Sequence, residues 1–261
     1  MSISIESEKG LARVTLNRPE QRNAFDSEMV DAIRDAFLRL GQDRSVRVIV
    51  LAGAGRTFCA GADLSWMAPD KAVSELQGRR DAEQLFTMFR TIHECPCPVI
   101  GRIQGGAYGG GLGLIAVCDI AVAAADASFA FSEVRVGLVP AVIAPFILQK
   151  TGMSFARRYC LTAESFSAAT AREAGLIHEV VETAALDAQV AALADHVTHA
   201  APQAARETKA LLRRLSLAQE EIGWACVEAN VRARLSAEAQ EGVRAFRNRR
   251  PASWVRPPGS V

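Results

Sequence analysis

The chain has 261 residues, a formal net charge of +1, and a composition that is 49% hydrophobic and 23% charged. That balance gives no global attraction to nucleic acid or to an anionic membrane surface, and the length suits one large domain or a domain with an appendage. No apolar run reaches the length of a spanning helix, and Met1 to Glu6 lacks the charged start and long apolar region of a signal peptide, so the expected location is the cytoplasm.

Ile3-Ser4-Ile5 and Ala12 to Leu16, separated by Lys9-Gly10, read as a two-stranded meander. Asn17 to Ala24 breaks regular structure. Asp26 or Ser27 then caps a helix in which Met29, Ile33, Ala36, Phe37 and Leu40 recur at helical spacing. Val48 to Ala52 follows as a continuous apolar strand, completing a βαβ unit. A glycine-rich turn, Gly53 to Leu64, leads to a short helix that Asp63 can cap, ending near Met67. The polar, charged stretch 68–83 reads as a loop or frayed helix, after which Leu85, Phe86, Phe89 and Ile92 restore helical period until Cys95-Pro96-Cys97-Pro98.

A second strand, Val99 to Ile103, runs into Gly105-Gly106-Ala107-Tyr108-Gly109-Gly110-Gly111-Leu112-Gly113, where glycine takes six of nine positions. An apolar helix to Val117 and a strand at Asp119 to Ala123 complete the event. Strand, glycine turn and helix thus occur twice about fifty residues apart, the pattern of a spiral of ββα turns. Beyond Phe129 to Glu133 the chain reads as helical almost to its end. The last sixty residues or so contain no strand signal, and their apolar faces suggest packing on another subunit.

The cysteines, at 59, 95, 97, 118, 160 and 226, lie mostly in apolar sequence without the spacing of a zinc or redox pair, and read as free thiols. His196 and His199 share a helix face with no ligand partner on it, so no metal is expected. Nucleophile elbow, P-loop and dinucleotide fingerprint are all missing. What remains is the pair of glycine turns and one glutamate. If the backbone N–H groups of Ala62 and Gly110 meet, they form an oxyanion hole, although nothing in a separation of 48 residues brings them together. Glu133 lies between Phe129, Phe131 and Val134, Val136, an apolar setting that raises a carboxyl pKa and suits it to moving a proton on carbon; the alternative is a first-turn helix glutamate facing the dipole.

These segments, in order, resemble the crotonase, or enoyl-CoA hydratase/isomerase, family. The similarity rests on Asn17-Arg18-Pro19 with Asn23-Ala24, Phe58 to Leu64, Gly105 to Gly111, Cys118-Asp119-Ile120, and Glu133 with Gly137-Leu138-Val139-Pro140, and extends to Gly175-Leu176-Ile177. The resemblance implies an α/β fold, a spiral core of ββα units over residues 1–200, and a C-terminal helical region over 201–261 that builds a homotrimer or a dimer of trimers. It implies an acyl-CoA thioester as substrate, with coenzyme A part of that substrate and no separate cofactor. Ala62 and Gly110 would hold the thioester oxygen, and Glu133 would be the family's second catalytic glutamate. Ala60, Asp63, Leu64 and Gly109 would line the substrate, while Arg22, Arg249 and Arg250 would meet the phosphates of the CoA tail.

The family's first catalytic glutamate falls on Gly113. Members with a single glutamate include double-bond isomerases, so an isomerase is the second reading. Pro140-Ala141-Val142-Ile143-Ala144-Pro145 replaces a glycine-rich run usual in hydratases, and with Ser132 to Leu138 it looks like bacterial hydratases of branched, carboxylated enoyl-CoAs of the methylglutaconyl-CoA and isohexenylglutaconyl-CoA type. The expected activity is therefore hydration of such an enoyl-CoA. Arg244 to Arg250 is basic with one aromatic, which keeps an RNA-binding or non-catalytic crotonase-fold protein open as a reading from another class, although on this neutral chain nucleic acid is not the expected partner.

Overall fold

The computed structural model describes residues 1–67, 74–215 and 220–253. Strands β1 (Ile3–Glu8) and β2 (Leu11–Leu16) form the antiparallel hairpin that the alternating apolar residues predict. Helix α1 (Ser27–Gln42) is capped by Asp26, whose carboxylate accepts from the Met29 N–H at 2.9 Å. It returns the chain to β3 (Val48–Gly53), which pairs with β2 in parallel. Then come α2 (Leu64–Met67), α3 (Glu75–Glu94), β4 (Val99–Ile103), β5 (Gly106–Tyr108), α4 (Gly110–Val117), β6 (Ile120–Ala124) and β7 (Ser128–Ala130).

The remainder is not all helix. After α5 (Ala144–Thr162), β8 (Phe166–Ser167) pairs antiparallel with β7; after α6 (Ala168–Glu173), β9 (Glu179–Val181) joins β6. Both strands are two or three residues long, too short for alternation to register in the sequence, and it is the exposed edges of β6 and β7 that recruit them. Helices α7 (Leu186–His199), α8 (Pro202–Leu215), α9 (Glu220–Arg234) and α10 (Ala237–Arg247) complete the described chain.

The main sheet has the order β1-β2-β3-β4-β6-β9, and a second has β5-β7-β8. β3 is buried along its whole length because side chains on both faces are covered. Ile49 and Leu51 point into the large core with α1 and α3, while Val48 and Val50, with Ile100 and Val122, meet Leu186, Val190 and Ala194 of α7.

The stretch 68–83 departs from expectation in part. Residues 68–73 lie outside the described residues, but from Glu75 onward the chain is regular helix, capped by Ser74. Its polarity misleads because Asp81 is an inward-facing residue, 3% exposed, whose carboxylate pairs with Arg234 of α9 at 2.6 Å. The C-terminal helices fold onto this same chain: α9 lies along α3, and α10 packs on the turn at 133–136. No helix among the described residues is long and apolar enough to cross a membrane.

Candidate active site

The two glycine turns are neighbours. Cys59 pairs with Ala107 in an isolated parallel bridge, and Ala107 pairs with Phe129 between β5 and β7. Three strand segments thus run side by side in register. Ala62 follows the first rung by three residues, Gly110 the second by three, and Glu133 the third by four. This lateral ladder converts a sequence separation of 48 residues into adjacency.

Local bonds fix each partner. Asn23, fully buried, donates from its amide to the carbonyls of Ala54 and Thr57, both at 2.8 Å, stapling the first turn. Phe25 and Asp63 exchange further backbone bonds across it: Phe25 N donates to the Gly61 carbonyl, Asp63 N to the Phe25 carbonyl. The Gly109 N–H donates to the Ala130 carbonyl at 3.0 Å, tying the second turn to the strand that leads to Glu133.

Two glycines here are required by contact as well as by backbone conformation. Gly61 has φ +87°, and a Cβ on it would stand 2.6 Å from the Tyr108 carbonyl oxygen and 3.1 Å from the Gly110 nitrogen. Gly109 has φ +50°, and a Cβ there would lie 3.2 Å from Glu133 Oε1. The same distances show that the 60–62 turn, the start of α4 and the Glu133 carboxylate converge. Neither the Ala62 N–H nor the Gly110 N–H has a hydrogen-bond acceptor among the described residues. The latter is the first N–H of α4, where a helix leaves its donors unpaired.

Glu133 opens a 3₁₀ turn over Glu133–Val136 and is half-buried as a residue, but the shielded part is its carboxyl end. Oε2 is buried with no hydrogen-bond partner. Burial pushes its pKa up to about 7, opposed only by its own backbone N–H, and no cation stabilises the charge. The neighbouring Cys160 thiol, pushed up to about 12 by burial and by Glu133, stays neutral. A carboxyl group poised near neutrality beside two unpaired N–H donors has the parts to move a proton while developing oxygen charge is held.

A cavity of about 930 Å³ opens beside these groups. Glu133, Ala62, Gly110, Ala60, Asp63, Leu64, Gly109, Arg22 and Arg250 all line it; Arg249 does not, and stands exposed beyond the end of α10. Two of the lining charges are already engaged. Asp63 accepts from the Ser65 N–H and hydroxyl at 2.9 and 2.6 Å, so it acts as the cap of α2, and the Arg250 guanidinium is forked to Glu241 at 2.7 and 2.8 Å. Arg22 is exposed, in a left-handed conformation with φ +53°.

At Gly113 the departure from a two-glutamate site is structural. A Cβ there would meet Ile143 Cγ2 at 2.4 Å and the Phe89 ring at 2.8 Å. Apolar side chains occupy the ground that a glutamate at this position would need. Phe89, legible in the sequence as a helix-face residue, and Arg135 and Ile143, legible only within longer motifs, line the cavity, and so does Asn230, which no motif marks. Asn230 carried a legible signal, a polar residue three positions after Val227 and beside Val231 on the buried face of α9. Among the described residues no cluster of histidine, cysteine and carboxylate groups could hold a metal ion.

The profile of the enoyl-CoA hydratase/isomerase family matches residues 6–257. Enoyl-CoA hydratase ACTT6 of Alternaria alternata is 35% identical over 242 residues, 91% of this chain and 78% of the relative. The (E)-benzylidenesuccinyl-CoA hydratase of Thauera aromatica is 32% identical over 211 residues, 80% of this chain and 81% of the relative. The crystal structure of an enoyl-CoA hydratase from Mycobacterium avium superimposes with a TM-score of 0.87 at 35% identity, covering 97% of this chain and 99% of that one. With a profile spanning nearly every residue and relatives alike along most of their own length, the chain belongs to the enoyl-CoA hydratase/isomerase family and has its crotonase fold.

Proposed function

We propose that the protein hydrates the 2,3 double bond of a branched or carboxylated enoyl-CoA. The observation that carries this reading is that Ala62 and Gly110, whose N–H groups are unpaired, line the same cavity as Glu133, whose Oε2 is buried and unpartnered. The thioester carbonyl oxygen accepts from both N–H groups. Glu133, as carboxylate, takes a proton from water as the water oxygen bonds to Cβ; the double-bond electrons shift toward Cα and the thioester oxygen becomes an enolate oxygen. The proton on Glu133 then passes to Cα, the enolate collapses to the thioester, and the carboxylate is restored. The named hydratase relatives support the reaction class, and the benzylidenesuccinyl-CoA enzyme is a relative whose named substrate carries a second carboxyl group. Exposed Arg22 at the mouth meets the CoA phosphates, and the assembly is a homotrimer or a dimer of such trimers.

Gly113 favours a second reading, a 3,2-enoyl-CoA isomerase, because one carboxylate suffices to carry a proton along an enolate and the second is sterically displaced by Phe89 and Ile143. Turnover of 3-methylglutaconyl-CoA, crotonyl-CoA and a 3-enoyl-CoA, with hydration and double-bond migration followed separately, decides between them. Rapid hydration of the carboxylated substrate is expected. Migration without hydration would make the protein an isomerase.

A further inference from the structure

Asn230 is 4% exposed, and its carboxamide has no hydrogen-bond partner among the described residues, Oδ1 being wholly buried. It enters the cavity from α9, the helix laid along α3, in the company of Leu85, Phe89 and Met67. One turn later on the same helix, Arg234 donates to the Met67 and Trp66 carbonyls, so this face of α9 is held rigidly against α2 and α3. A buried amide left unpaired is a net cost to the fold, which a leucine of similar size avoids. The fold therefore keeps a polar group where its own packing calls for an apolar one.

Resting on the enoyl-CoA reading above, we propose that Asn230 determines substrate choice by turning its carboxamide, which no hydrogen bond holds, so that Nδ2 takes the place of the buried Oδ1 and donates to a carboxylate oxygen carried on the acyl chain beyond the double bond. The CoA arm must enter past the exposed Arg22 and Phe246, while Asn230 sits on the enclosed side, so its partner belongs to the acyl group. A site built to hydrogen-bond a substrate group discriminates strongly against the analogue that lacks it, because the amide then stays unpaired in the complex.

The test compares kcat/KM for 3-methylglutaconyl-CoA and for 2-hexenoyl-CoA, a hydrocarbon chain of similar length, in the wild type, Asn230→Leu and Asn230→Ser. Asn230→Leu is expected to lower kcat/KM for the carboxylated substrate by about 10- to 100-fold, in the range of a lost specific hydrogen bond, and to leave or raise that for 2-hexenoyl-CoA. Its Tm is expected to equal or exceed that of the wild type, since an unpaired amide has been removed. Asn230→Ser, which keeps a donor, should retain part of the preference. Equal losses on both substrates would overturn the proposal in favour of a contact to the CoA arm or to the attacking water, and so would an unchanged ratio. Should the wild type turn over neither substrate, it is the enoyl-CoA reading that fails.

Discussion

Glu133 is one carboxylate asked to be ionised at a place that disfavours charge. Because burial lifts its pKa from 4.5 to about 7, the base form needed for water attack is populated only as pH rises, and kcat/KM should climb through pH 7 and level off above it. Stability runs the other way. The folded state binds this proton more tightly than the unfolded chain, so the contribution is fully present below pH 4.5 and is lost as pH rises through 7. Glu133→Gln should therefore lower the hydration rate by roughly 10²–10⁴-fold. It should also stabilise the fold at pH 8 by up to roughly 3 kcal/mol, a gain that urea unfolding would find largely gone at pH 5. A variant that kept the wild-type rate would remove Glu133 from the mechanism. Gly113 makes the complementary case. Restoring a side chain there presses on Ile143 and Phe89, so Gly113→Ala should cost about 1–3 kcal/mol in chemical denaturation, and Gly113→Glu should bring no gain in hydration.

Between elements, the Asp81–Arg234 pair is the buried tie between α3 and α9, beside the more exposed Arg79–Glu228 pair, and reaches α2 through the Met67 and Trp66 carbonyls. Both side chains are almost fully buried, so removing one strands the other. Asp81→Ala should destabilise by about 3–5 kcal/mol, visible as an earlier urea midpoint. The same substitution should loosen the cavity wall that Met67, Leu85 and Asn230 share, raising KM for an enoyl-CoA more than it lowers kcat. An unchanged midpoint would show that the pair is not the tie described. Here, too, the limits of sequence reading have a physical cause. Helical period is plain from Leu85 to Ile92, but Glu75 to Glu83 reads as a loop or frayed helix because a buried charge paired with a helix about 150 residues away has the same letters as a solvated one.

For the whole molecule, α8 leaves Leu211 and Leu212 55% and 62% exposed, and Trp224 on α9 is 45% exposed. Exposed large apolar side chains on the C-terminal helices suit burial against other copies. Sedimentation of the wild type should give a trimer or hexamer, and Leu211→Glu with Leu212→Glu should shift it toward monomer; a wild type that sediments as a monomer would refute the assembly. At this scale the division between sequence and structure is sharp. The amino-acid sequence by itself determined the βαβ start, the two glycine turns, the apolar setting of Glu133 and the family, because periodicity, glycine runs and ordered motifs are local or additive along the chain. Only the tertiary structure decided that Ala62, Gly110 and Glu133 meet, that Arg249 stands outside the cavity, that Asp63 and Arg250 are already engaged, and that Asn230 faces inward. Each of those facts depends on lateral register between strands or on which helix covers which, set by contacts between residues tens to hundreds of positions apart that leave no local pattern to read.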